Sequence, residues 1–440
     1  MNKKVNVLHI ISHDTGRMLG CYGEPVKTPN LDAVAREGVI FTNYHCAAPQ
    51  CSPSRGAMFS GIMPHNNGLY GLAHRGFSLN PEVKYLPRIM AKNGYDTILF
   101  GVQHENKIVN PDVYLTEEKR LGYKRYYKGK LRYAGEIVML VKEYLSKNPK
   151  QPFFVSVGTK ETHREFPVIH KTPKDIKVPE FLVDHPDVRK DFAEFKVSLT
   201  QFDDMVGVLM KTLRDTGLDK NTMVVITTDH GIAFPGAKGM LLDPGTGIFM
   251  IIRDPKNFSG GKRINALASN IDLVPTILEY LRIPVPREVQ GKNLLPVVRG
   301  DKREVHDEIF TELSYHAAYD PMRAIRTKRY KYIRSFDIRP YFFLPNSDDG
   351  LSKSVYYKKG YYSKLRPTEL LFDLKTDPLE RRNVAGEKKY QKVLKDLSER
   401  LVNWMERTND PLRNGIVPLP PDAKVTPPWE YSPKKVWGEN

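Results

Sequence analysis

VNVLHIISHDTG, residues 5–16, runs almost without a polar residue through Val5 to Ile11 and then breaks into Ser12, His13, Asp14 and Gly16. A short, β-branched, continuously apolar run reads as a strand covered on both faces, not as one with a wet side. Four further runs share that texture: DTILFG (96–101), PFFVSVG (152–158), TMVVITT (222–228) and IFMIIR (248–253). Helical patterns fall between them. TPNLDAVAREG (28–38) offers Thr28 as N-cap, Pro29 at the first helical position and Gly38 as stop, while Leu199, Phe202, Val206, Leu209 and Leu213 keep a helical stripe that ends at Gly217. Strands alternating with helices predict an α/β domain in layers.

From about residue 306 the texture changes to short strands and turns, which divides the chain into an N-terminal catalytic domain, 1–305, and a smaller C-terminal subdomain, 306–440. There TELLFDLKTDPLERRNVAG (368–386) reads as strand then turn, and a helix is expected over about 388–406. VPLPPDAKVTPPWEYSPKK (417–435) carries too much proline for a helix or a central strand and is expected to lie extended over the body.

Lys and Arg exceed Asp and Glu by 68 to 51, a net charge of +17, which suits an anionic partner. The excess is diffuse. RAIRTKRYKYIRSF (323–336) alternates charged and apolar residues as a half-exposed strand does, and no RNA- or DNA-binding signature accompanies it, so a small anion is expected and not nucleic acid. No apolar run approaches the ~20 residues of a membrane span. MNKKVNVLHII shows no separate apolar segment with a cleavage site, and a secretion signal is not expected. Cys21, Cys46 and Cys51 are the only cysteines and give neither a disulfide framework nor a CxxC pair. A reducing cytoplasm is the expected location.

In doubly covered sheets, chemistry collects beyond the carboxyl ends of the strands. SHDTG places His13 and Asp14 there, and TTDHG places Asp229 and His230. Singly, each acid suits an Asx turn; together, two carboxylates and two imidazoles can converge on a divalent cation. APQCSPSRGAMFSG (48–61) adds Cys51 at a helix start marked by Pro53, where free N–H groups and the positive dipole end favour an anion. Alone, Cys51 fits a buried small hydrophobe, or a thiolate activated by the helix end and Arg55. Neither accounts for the whole motif.

CSPSR followed by small and apolar residues and a Ser-Gly resembles the signature of the type I sulfatases in the alkaline phosphatase superfamily. Ordered agreement extends through SHDTG, TPNLDAVAREGVIF, FGVQHEN, THREFP, TTDHGIAFPGAKG, SNIDLVPTILEYL, RAIRTKRYKYI and LLFDLKTDPLERRNVA. HNNGLYGL, GIAFPGAKG, DPMRAIRT and NWMERTNDP bring it nearest to the heparan N-sulfatase (sulfamidase) branch.

The resemblance implies a three-layer alkaline-phosphatase-like fold, with a large, mostly parallel mixed sheet between helices and a small antiparallel sheet in the C-terminal subdomain. It implies oxidation of Cys51 to formylglycine by a formylglycine-generating enzyme. It also implies one divalent metal on Asp14, Asp229, His230 and residue 51, with His13 beside them; calcium is the family's ion, and His230 brings Mg2+, Mn2+ or Zn2+ into consideration. Arg55 would hold the hydrated aldehyde, His104 orient or deprotonate it, His163 bind sulfate and serve the leaving group, and Lys238 bind a sulfate oxygen. The substrate class would be a sulfate ester or sulfamate on a saccharide, with Glu312, His316 and Arg323 entering the substrate end of the cleft; a strand arginine such as Arg323 more commonly pairs with a neighbouring carboxylate.

This chain departs from the family at three places. His13 stands where most members carry a second acid, and Asp229-His230 stands where they carry Asp-Asn; Asp-His is the arrangement of phosphonate monoester hydrolases in the same superfamily. Val102 replaces the usual lysine after FG, and Lys160, Arg164 or another basic group would substitute. Phosphonate monoester or phosphodiester hydrolysis, or binding of sulfated ligands without turnover, are the alternatives on the same scaffold.

Overall fold

Alternate residues of the first apolar run point to opposite sides of a sheet, and both sides are dry. In the computed structural model, which describes residues 4–106, 121–127, 132–339 and 341–436, Leu8 and Ile10 join one apolar cluster with Leu199, Phe202, Val206, Leu209 and Leu213. Val7 and Ile11 join a second cluster with Leu273, Val274, Ile277 and Leu278 on the other face. Burial on both faces is what removes the polar alternation from the sequence.

The strands are β1 Asn6–Ser12, β2 Val39–Phe41, β3 Tyr44–His45, β4 Asp96–Gly101, β5 Arg125–Tyr127, β6 Phe153–Gly158, β7 Thr222–Thr228, β8 Met250–Arg253, β9 Lys262–Ile264, β10 Ala268–Ser269, β11 Glu308–Tyr315, β12 Tyr319–Thr327, β13 Tyr330–Ser335 and β14 Glu369–Asp373. The large sheet has the order β5-β4-β6-β1-β7-β8-β2-β9. Its pairs are parallel except those made by β8 with β7 and β2, and β1 lies parallel between β6 and β7. The carboxyl ends of β4, β6, β1 and β7 therefore share one edge. The mostly parallel mixed sheet between helices, with the antiparallel sheet β11-β12-β13-β14 behind it, agrees with the expected fold.

Helix positions follow the patterns with one difference of mechanism. The helix Pro29–Glu37 starts after Thr28, but the Thr28 hydroxyl caps nothing in it; it accepts from the Gly20 amide at 2.9 Å and donates to Asp32. The stripe ending at Leu213 belongs to a 30-residue helix, Pro186–Asp215. The C-terminal helix runs Gln391–Arg407, and no described helix is long and apolar enough to cross a membrane.

The basic segment 323–336 is not the half-exposed strand its alternation suggests. Most of β12 and β13 is buried. Arg326 donates twice to Asp243, and Lys331 pairs with Asp243 and Glu380. Buried cations must be paired, and the partners come from loops far away in sequence. The two parts of the chain also interlock: Val355, Tyr356 and Tyr362 lie in the same cluster as the long helix.

Candidate active site

Each of the four parallel strands delivers a side chain past its carboxyl end. β1 leads to His13 and Asp14, β7 to Asp229 and His230, β4 to the loop with His104, and β6 to the loop with His163. Asp14 adopts a left-handed backbone, φ 52°, uncommon for a residue with a side chain and typical of functional turns. Its amide donates to Asp229 Oδ1 at 2.9 Å, so the two strand ends are bonded together. Gly231 allows the second turn to close, since a Cβ there would lie 1.9 Å from the Pro244 carbonyl oxygen.

Cys51 is the first residue of a wholly buried helix, Cys51–Ser60, whose N-terminal end faces the strand tips. Arg55, one turn on, donates from Nε to Asp229 Oδ2 at 2.9 Å and from Nη2 to the Ser12 carbonyl at 3.2 Å. Asn270 fixes the helix start, donating to the Ser54 carbonyl and hydroxyl and accepting from the Ala47 amide. One donor atom each from His13, Asp14, Cys51, Asp229 and His230 lies within 4.8 Å of every other, and all five residues are buried. The Cys51 sulfur is 3.3 Å from His230 Nε2 and 3.8 Å from His13 Nδ1.

The outer ring sets the orientation of the imidazoles. His230 Nδ1 donates to the Gly231 carbonyl at 2.9 Å, which turns Nε2 toward the centre, 3.1 Å from Asp14 Oδ1. His13 Nδ1 lies 2.8 Å from Asp14 Oδ1 while its Nε2 meets His104 Nδ1 at 3.1 Å. The His163 ring stands edge-on to His13 with centroids 4.8 Å apart. Lys238 Nζ donates to Asp14 Oδ2 at 2.8 Å.

The electrostatics follow from burial opposed by close charges. Burial alone would raise the Cys51 thiol, but Lys238, His13 and His230 outweigh it and bring it down to about 7. Burial disfavours protonated His13, yet Asp229 and the cysteine raise it to about 9; His230 is raised by Asp229 and Asp14. Asp14 and Asp229 are held low against their burial, Asp14 by Lys238 and His230 and Asp229 by His13 and His230. His163 and His104 face no such excess of negative charge: burial, then Lys238, lowers His163 to about 4, and burial, then His13, holds His104 well below its ordinary value.

The profile of the sulfatase family matches residues 5–283. The chain belongs to the sulfatase family. A second profile, for the C-terminal part of N-sulphoglucosamine sulphohydrolase, matches residues 236–349. The sulfatase is 27% identical to the N-sulphoglucosamine sulphohydrolase of Homo sapiens, over 92% of this chain and 91% of that protein. It is 29% identical to an ulvan-active sulfatase of Formosa agariphila, over 96% of this chain and 84% of the other. The solved structure of a 2-O GAG sulfatase superposes with a TM-score of 0.73 at 23% identity, covering 97% and 99% of the two chains, which gives the fold.

Some expected site residues of the sulfatase lie elsewhere. Arg323 is fully buried, donates from Nε and Nη2 to Asp410, and from Nη1 to the Leu313 carbonyl at 2.9 Å. Glu312 is buried too, accepting from the His65 amide at 2.8 Å and pairing with its ring. Neither is presented to a sugar: a guanidinium without water needs all its donors answered, and Asp410 and the backbone answer them. His316 does adjoin the cluster. Its Nδ1 donates to the Asn346 carbonyl at 3.1 Å, and burial with the nearby Lys238 lowers it to about 3. Arg164 does not stand in for the missing lysine at Val102; it makes a bidentate pair with Asp191 at 2.7 Å and covers Phe166 and Phe234. Lys160 lies against Tyr133.

Sequence reasoning missed Asp348. Its Oδ2 is 2.9 Å from Lys238 Nζ, and Lys238 with His163 holds its carboxyl low against burial. NSDDG (346–350) reads only as turn-forming residues, so nothing local distinguishes it.

Proposed function

We propose that the chain removes sulfate from a sulfated saccharide, with an N-sulfoglucosamine-type sulfamate as the preferred group, after oxidation of Cys51 to formylglycine by a formylglycine-generating enzyme. The carrying observation is the buried, five-donor cluster around Cys51 at a helix N-terminus, flanked by Arg55 and Lys238. The sulfamate rests on the match of residues 236–349 to the C-terminal part of an N-sulphoglucosamine sulphohydrolase and on the human relative of that name.

The donor set fits a divalent cation: two carboxylates and two imidazoles oriented by their outer hydrogen bonds. Asp14, Asp229, His230, His13 and residue 51 would hold it, and two nitrogen donors favour Mn2+ or Zn2+ over Ca2+, which gains little from imidazole. When bound, the cation lowers the pKa of a coordinated hydroxyl and neutralises sulfate oxygens. Hydrated formylglycine at 51 would supply two hydroxyls on one carbon, one as the nucleophile toward sulfur while the bond to the sugar breaks, the other to re-form the carbonyl on losing its proton and so free sulfate.

The other side chains bind and move protons. Arg55, fixed on Asp229, holds residue 51 in line. His104 is neutral at pH 7 and its Nδ1 accepts from His13 Nε2, so its Nε2 carries the hydrogen and orients residue 51 as a donor. His163, also neutral, donates from Nδ1 to the Arg164 carbonyl, so its Nε2 is free to take the proton lost by the attacking hydroxyl and hand it to the departing atom. Lys238 is a fixed cation for a sulfate oxygen.

Asp229-His230 favours a second reading, phosphonate monoester hydrolysis. Sulfate release from N-sulfoglucosamine, glucosamine 6-sulfate and an aryl sulfate, measured beside cleavage of an aryl phosphonate, tests both. The proposal expects the highest kcat/KM on N-sulfoglucosamine; preference for the 6-sulfate would move the specificity to the ester, and preference for the phosphonate would overturn the sulfatase activity.

A further inference from the structure

The site holds one more carboxylate than anion chemistry needs. Asp14 and Asp229 face the cation centre, but Asp348 comes from the C-terminal part of the chain and faces Lys238. In a pocket that must receive an anionic sulfate ester or sulfamate and hold the doubly charged sulfate it yields, a third acid costs affinity unless it does something for a cation already there.

The loop that carries Asp348 is fixed on several sides. The Asn346 carbonyl accepts from His316 Nδ1, and the Asn346 side chain accepts from the Ala317 and Ala318 amides at 3.1 and 2.8 Å. Lys353, its side chain wholly buried, donates to the Ser347 carbonyl at 2.8 Å and to Asp349 at 3.0 Å, and also to the Tyr431 carbonyl in the proline-rich tail. Ser432 of that tail donates to Asp349. The loop also abuts the residue after the catalytic lysine: Gly239 has φ +74°, and a Cβ there would lie 2.9 Å from the Asn346 carbonyl oxygen. The Asp348 side chain keeps 18% of its exposure while that of Lys238 keeps 3%.

We propose that Asp348 is a positioning residue for Lys238: it shares the ammonium with Asp14 and so keeps one donor aimed at the sulfate. This rests on the reading of Lys238 as a sulfate ligand. An ammonium has three N–H donors. Asp14 Oδ2 accepts one of them at 2.8 Å, and Asp348 Oδ2, 2.9 Å away and outside hydrogen-bond geometry, holds the ammonium as an ion pair, so donors remain for a sulfate oxygen. Without Asp348 the ammonium collapses onto Asp14, whose other oxygen faces the cation centre. The C-terminal subdomain and its tail thereby act on the reaction through one carboxylate.

The account and a passive charge predict opposite signs. Deleting a bystander anion strengthens sulfate binding; deleting a positioning anion weakens it. The test is a double-mutant cycle on the metal-loaded, formylglycine-bearing enzyme with Asp348→Asn, Lys238→Ala and the pair, plus Asp348→Glu. Its readouts are titration with inorganic sulfate and steady-state hydrolysis of an aryl sulfate. Asp348→Asn should raise the sulfate dissociation constant about fivefold or more and lower kcat about tenfold to a hundredfold, both effects shrinking below about twofold in the Lys238→Ala background and Asp348→Glu recovering part. Unchanged or tighter sulfate binding by Asp348→Asn, or an undiminished effect without Lys238, overturns the role alone. A wild-type enzyme that neither binds nor releases sulfate overturns the reading of the site and this role with it.

Discussion

Replacing Cys51 by alanine should lower hydrolysis of an aryl sulfate by at least about a thousandfold, because the atom that becomes the nucleophile is gone and binding with charge stabilisation alone remains. The fold should survive. The thiol contributes one small atom at the N-terminus of the helix Cys51–Ser60, and that helix is held independently by Asn270 on Ser54 and by Arg55 on Asp229. Arg55 also keeps Asp229 in place when the sulfur is absent, so the four remaining donors should retain the cation at reduced affinity. The measurement is kcat on the variant with its far-ultraviolet dichroism and elemental analysis alongside. A variant that still turns over within about tenfold of wild type would remove residue 51 from the chemistry.

Asp229→Asn should have the next largest effect, on the cation. Asp229 is the hub of the cluster: Oδ2 takes Arg55 Nε, Oδ1 takes the Asp14 and His230 amides, and His13 Nδ1 lies 3.3 Å from Oδ2. Asparagine keeps the shape and the Oδ1 acceptor but removes a full charge from a centre that must neutralise a dication. Cation affinity should fall about a hundredfold or more, beyond the loss usual for an outer-sphere partner. Binding to the native state alone adds about 2.7 kcal/mol at a hundredfold excess over Kd, so wild type should show a cation-dependent rise in Tm that the variant largely lacks. Elemental analysis and melting with and without added Mn2+ or Zn2+ check this, with Asp14→Asn as the companion. Full cation content in both variants would place the ion elsewhere.

Much of this architecture is legible in the sequence because its cause is local. The Val- and Ile-rich runs VNVLHII and TMVVITT, and the abrupt polar residues after them, announce buried parallel strands with chemistry at their ends. The cluster of His13, Asp14, Cys51, Asp229 and His230 is assembled by that topology, and the motifs mark each member. What was not legible depends on distant partners. Arg323 looks like any strand arginine until Asp410, 87 residues on, is seen to take it. Arg326 and Lys331 look half-exposed until the loop at Asp243 is seen to cover them. Asp348 sits in a run of turn formers, and its role exists only because the C-terminal part of the chain folds back onto Lys238.

The central claim is that position 51 reacts as an aldehyde and not as a thiol. Its most direct measurement is mass spectrometry of the tryptic peptide that ends at Arg55, taken from a preparation that is actively releasing sulfate. That peptide carries both Cys46 and Cys51, so one serves as control for the other. The account predicts formylglycine at 51 and an intact thiol at 46, where burial and then Asp229 push the group far up against the smaller pull of Lys331. An active preparation in which both positions are thiols would contradict it.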